Sequence, residues 1–96
     1  MREFGFEVFL NKEPSIVSEK AIIKRISEGR RTEGVLGRSL DFVVRDDDLM
    51  YEALVKLQPY ETSKCNPMQH AVRKYYKFIN DKEFPRLKSY HSVKHP

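Results

Sequence analysis

Asn66-Pro67-Met68-Gln69-His70-Ala71-Val72-Arg73-Lys74-Tyr75-Tyr76-Lys77-Phe78-Ile79-Asn80 is the stretch that decides the fold. Asparagine before proline is a strong helix start, because proline at the first helical position gives up an N–H that has no partner there anyway. Wound at about 3.6 residues per turn, Met68, Ala71, Val72, Tyr75 and Ile79 fall on one side. Gln69, His70, Arg73, Lys74, Lys77 and Asn80 fall on the other. The segment predicts an amphipathic helix whose outer face carries no acid. An ordinary solvated face mixes both signs, since opposite charges three or four residues apart support a helix and like charges weaken it. A face of one sign points to an anionic partner; the plainer alternative is a basic surface that only aids solubility.

Working outward, the rest of the chain also reads as helices. Asp46 or Asp47 can cap a helix carrying Leu49, Met50, Ala53, Leu54 and Leu57, ended by Pro59. Ser39 can cap a short helix from Leu40 to Val44. Ser18 can cap a longer one, with Glu19 in its first turn and Ile22, Ile23 and Ile26 as its apolar stripe. That helix is expected to run to about Arg31, and Gly29 either permits close packing or begins its end. Lys20, Lys24, Ser27 and Arg31 line another side of it, a second basic stripe flanked by Glu28. Glu3 to Lys12 suits a helix through Phe6, Phe9 and Leu10. Its Phe4, Phe6, Val8 and Leu10 also alternate like a strand, but nothing downstream looks like a pairing partner. The expectation is one all-α domain over residues 1–81, a bundle of four to five short helices. Residues 82–96 form a basic C-terminal extension, partly docked through Phe84, Leu87 and Tyr90 or flexible.

At 96 residues there is enough chain for one core. The single cysteine, Cys65, permits no internal disulfide and no cysteine-based metal site, which fits a reducing compartment, the cytoplasm or nucleoid. The longest apolar runs, such as Ala21-Ile22-Ile23 and Phe42-Val43-Val44, are far too short to span a bilayer, and Met1-Arg2-Glu3 does not open a signal peptide. The net charge of +4 is unevenly spread. Residues 1–63 carry 10 basic and 12 acidic side chains, and residues 64–96 carry 8 and 2. Basic charge polarised in this way suggests nucleic acid first and an acidic protein or membrane surface second.

Signals for catalysis are weak. Asp46-Asp47-Asp48 is better explained by helix capping than by a metal, because a calcium loop's spacing is absent. Asp41, Asp47 and Lys56 resemble a nuclease set only loosely and lack the sheet that carries such a site. His70 and Arg73 form a His-x-x-Arg pair without the further groups that phosphate activation needs. His91 and His95 could share a metal only if the tail were helical. Lys64 could depress the pKa of Cys65, a bystander by default. No enzymatic activity, metal or cofactor is expected.

The order of these parts resembles the small SAM-like helical domain that opens tyrosine recombinases (the core-binding domain) and is found on some restriction enzymes. The resemblance rests on Phe6-Phe9-Leu10, on Ser18 to Ile26, on Leu40-Asp41 to Leu57, and on Ala71-Val72-Arg73-Lys74-Tyr75-Tyr76-Lys77-Phe78-Ile79. Ala21 and Arg25 stand where the family often has threonine and tyrosine, and no catalytic domain follows within the chain. The resemblance implies a stand-alone small protein or an excised N-terminal piece that clamps one side of duplex DNA. The contacts expected from the residues and the resemblance together are Lys20, Lys24, Arg31, His70, Arg73, Lys74 and Lys77. The partners are then DNA and, in a larger assembly, a protein partner or parent catalytic domain. The first rival expectation is a protein-interaction module that docks its basic face on an acidic partner, and the second is a pure dimerisation domain.

Overall fold

Three of the helices start where the side chain of the preceding residue accepts N–H groups left over in the first turn. In the computed structural model, which describes residues 1–16, 18–61 and 65–94 (the side chains of 91–94 excepted), α1 spans Glu3–Lys12 and α2 spans Glu19–Leu36. The remaining helices are α3 (Leu40–Val43), α4 (Asp47–Leu57), α5 (Pro67–Asn80) and α6 (Leu87–Lys94), with a 3-10 turn at Gln58–Tyr60. No strand occurs among the described residues, so the chain is an all-α bundle. Ser18 Oγ accepts from Ala21 N–H, Ser39 Oγ from Phe42 N–H, and Asp46 Oδ1 from the N–H groups of Asp48 and Leu49.

Two boundaries depart from the sequence reading. α2 continues past Arg31 to Leu36 and stops at Gly37, whose φ of 68° is the left-handed conformation that glycine adopts without strain. It continues because Thr32 and Leu36 extend the buried row of Ile22 and Gly29. Gly34 costs helix stability on the order of 1 kcal/mol, less than the roughly 1.5–3 kcal/mol from burying Leu36. The second departure is Asn66, which does not cap α5. It takes φ 47° with no side-chain cap, and Glu61 Oε1 reaches across to accept from Met68 N–H at 3.1 Å. Residues 62–64, including the Lys64 invoked beside Cys65, lie outside the described residues, as does His95 of the suggested histidine pair.

The core forms where α5 meets α2, α4 and α1. Met68, Val72 and Tyr75 join Ile22, Leu54, Leu57, Phe6 and Leu10 in one buried cluster. Four expected core positions shift, Ile26 of α2 among them, since it is only partly buried. Ile79 is only partly buried, and Tyr76 takes the fully buried place instead, with its ring edge-on to Phe84 at 5.2 Å and its hydroxyl donating to Asp47 at 2.8 Å. Ile23 is 62% exposed while Ile22 is buried, because only Ile22 lies on the side of α2 turned to the core. Leu49 is half-buried beside a fully buried Met50. Gly29 is buried with Met1 packed on it: a Cβ there would stand 2.8 Å from Met1 Sδ, so of its two readings close packing is the one seen.

The C-terminal segment is helical through α6 and is anchored by two aromatics. Phe84 and Tyr90 are buried in the same cluster, and Tyr90 stacks against Tyr51 of α4 at 5.3 Å. At the other end, the Met1 amino group lies 3.0 Å from Glu33 and 3.3 Å from Asp41. Arg2 N–H donates to Tyr75 Oη at 2.8 Å, and that hydroxyl donates to Asp41. This network ties the chain start to α2, α3 and α5.

Candidate nucleic-acid interface

The amphipathic winding of α5 turns His70, Arg73, Lys74 and Lys77 outward, and the segment after α5 folds back beside them. The four residues line one cleft with Glu83 and Phe84. Their side chains are not equally available. Arg73 Nη1 donates to the main-chain oxygens of Phe84 (3.0 Å) and Pro85 (3.2 Å), and its guanidinium lies 5.8 Å from the centre of the Phe84 ring. Burial lowers its pKa from the usual arginine value. Lys74 donates to Glu13 Oε1 (3.1 Å) and to Ser15 Oγ (3.0 Å). Lys77 approaches Glu13 Oε1 to 2.9 Å and Oε2 to 3.3 Å.

The acid missing from the face of α5 is therefore supplied from elsewhere in the chain. Glu13 is almost fully buried, and its carboxyl is held below the usual glutamate range, first by the Lys77 hydrogen bond, against an opposing effect of burial, and then by Lys74. No local pattern could reveal this, because Glu13 lies 61 residues from Lys74 in sequence. The only hint is that Glu13 directly follows a helix and precedes Pro14, where the chain must turn back.

On α2, Lys20, Lys24 and Arg31 are all exposed, on the side away from Ile22 and Gly29. Arg31 stands 3.7 Å from Glu28, a loose pair. The α2 cation that approaches the α5 cleft is Arg25, which sequence reasoning did not select. It is half-buried, and its Nε has no hydrogen-bond partner. Its position one residue past Lys24 turns it about 100° toward the core side of the helix. His70 is pushed below its usual pKa first by burial and then by the charges of Arg25 and Arg73, with Glu61 acting the other way. The aromatic edges of α5 are closed to outside partners, since Tyr76 is buried and Phe78 packs against Gly5 and Phe6. Asp41 and Asp47, which with Lys56 loosely resemble a nuclease set in sequence, accept hydrogen bonds from Tyr75 and Tyr76. The Tyr76 hydroxyl is pushed up to about 12, first by burial and then by that bond.

No helix among the described residues is long and apolar enough to cross a membrane. The chain matches no model of a known protein family, no characterised protein and no solved structure.

Proposed function

We propose that this chain is a non-catalytic DNA-binding module that contacts duplex phosphates through the α5 cleft and the exposed stripe of α2. The observation that carries the reading is the convergence of His70, Arg73, Lys74 and Lys77 on one cleft, with the charge of Arg25 acting on His70. The buried Glu13 and the neighbouring Glu83 offset part of this charge, so the contacts divide. Lys20, Lys24, Arg31 and His70 reach phosphate directly, Lys74 and Lys77 reach it in exchange with Glu13, and Arg73 mainly shapes the site. The resemblance of the Ala71-to-Ile79 motif to recombinase core-binding domains supports the same reading, and with it a cytoplasmic or nucleoid setting and a parent catalytic domain as one context. Each neutralised phosphate releases condensed counterion, so log affinity falls with log salt by about 0.9 per contact. Anisotropy titration of a short duplex at two salt concentrations tests this. Binding in the micromolar range or weaker, steeply salt-dependent, is the expected result. No binding to duplex or single-stranded DNA at low salt sinks the reading.

A second reading, a protein-interaction module, draws on a different observation. Phe4 is 80% exposed on α1, with Val8 one turn on, and Ile23 is exposed on α2. Single exposed apolar residues are ordinary, but two on consecutive turns of one helix suit a partner. Loss of partner capture on Phe4→Ser, with DNA affinity unchanged, would favour this reading.

A further inference from the structure

The Glu13 carboxylate stands between two of the cations that the DNA reading assigns to phosphate. Its backbone is fixed on both sides, since Glu13 N–H donates to Leu10 O and Glu13 O accepts from Ile16 N–H. The carboxylate is thus held in place by α1 and the turn after it. Lys74 and Lys77 converge on it from successive turns of α5, and both ammonium groups touch the same oxygen, Oε1. A phosphate oxygen shared by these two lysines would have to occupy that place. The carboxylate also cancels one of the two lysine charges. An ammonium has three donors on a flexible stem, and both lysines remain partly solvent-exposed, so each can trade one oxygen for another without refolding α5.

We propose that Glu13 is a built-in competitor of the phosphate backbone: its carboxylate holds Lys74 and Lys77 in place of an outside anion, and binding proceeds by exchange at these two ammonium groups. The proposal rests on the DNA reading above and adds a restraint on affinity within the fold. Glu13 then sets how weakly the isolated chain binds and how steeply that binding depends on salt.

The test compares Glu13→Gln with Glu52→Gln in the full chain. Glu52 is exposed on α4 beside Arg38 and Lys56, so its substitution raises net charge equally without touching the lysine pair. Glu13→Gln should tighten duplex binding by about threefold or more and steepen the salt slope by about 0.9, with a clearly smaller effect from Glu52→Gln. Equal effects of the two variants, or none from Glu13→Gln while its thermal melt shows a folded chain, overturn the competitor. If Glu13→Gln does not fold, the Glu13 carboxyl of the parent is followed by carbon NMR. Its pKa should climb toward the ordinary glutamate value as duplex is added, and a carboxyl that does not move overturns the proposal. Inorganic triphosphate, titrated by calorimetry, separates the two ideas. Absence of duplex binding by parent and variant removes the DNA reading. Tighter triphosphate binding by Glu13→Gln still supports competition, and equal or absent binding ends it.

Discussion

The two cationic rows of this molecule look alike in sequence and differ in what they do for the fold. On α2, Lys20, Lys24 and Arg31 project into solvent, and among the described residues Arg31 is the one of the three with an ion-pair partner, Glu28 at 3.7 Å. On α5, Arg73 clamps two carbonyls of the chain after the helix, while Lys74 and Lys77 hold a buried carboxylate. The α5 row therefore works inward as well as outward. Spacing alone cannot separate the two cases, because both rows recur at three and four residues. What separates them is whether another part of the chain folds over the row. Pro14 and Asp81 turn it back over α5, and no described segment does so over the outer side of α2.

Substitutions should widen that contrast. The baseline is the core side of α5. Val72→Ala, at a fully buried site, should cost on the order of 2–3 kcal/mol by leaving a cavity, and Ile79→Ala clearly less because Ile79 is only partly buried. Indistinguishable thermal melts for the two would break the assignment of the buried side. Arg73→Ala comes next. It orphans two carbonyls and uncovers Phe84, so a loss of roughly 1–3 kcal/mol is expected in denaturant unfolding. A melt like that of the parent would return Arg73 to the class of the α2 row.

Acid titration sharpens the comparison further. Glu13 and Asp41 have pKa values lowered by folding, so the stability they contribute is fully present above their ordinary values of 4.5 and 3.8 and is lost as pH falls through their folded values. The Met1 amino group is raised above 8.0, so its contribution is present below that pH and is lost as pH rises through its folded value. The melting temperature should thus decline on both sides of a neutral plateau. Glu13→Gln should flatten the acid limb, and an unchanged acid limb would deny Glu13 its part. The smallest stability effect is expected from Lys24→Ala, within about 0.5 kcal/mol, yet it should flatten the salt slope of DNA binding by about one unit. A Lys24→Ala variant that loses stability but keeps its salt slope would reverse the roles assigned to the two rows.

The sequence made the helices legible because their signals are local. Ser18, Ser39 and Asp46 cap where their spacing to an apolar run predicts, and α1 forms as a helix although its alternating phenylalanines also suit a strand. The extra turn of α2 was hidden by Gly29 and Gly34, whose helix cost is outweighed by burial further along. Glu61 replaced Asn66 as the acceptor for α5 because a side chain from the preceding segment could reach the first turn, which no pattern within the helix reports. The site was half legible. Membership of the α5 row followed from periodicity, whereas its neutralisation by Glu13 and the approach of Arg25 depend on contacts between elements distant in sequence.

The guanidinium clamp of Arg73 also makes the C-terminal segment a unit of local opening. Between Asp81 and Leu87 only Arg86 O joins a helical hydrogen bond, accepting from Tyr90 N–H, and the C-terminal segment is attached through two carbonyls on Arg73, the rings of Phe84 and Tyr90 and the Tyr90 hydroxyl on Asp48. Such a segment can detach while the five preceding helices stay folded. Backbone amides of α6 should then exchange with solvent sooner than those of α5, and a protease should make its first cut between residues 81 and 87. A ligand that drew Arg73 away from its carbonyls would advance that cut, so partial digestion would report occupancy of the cleft without any label.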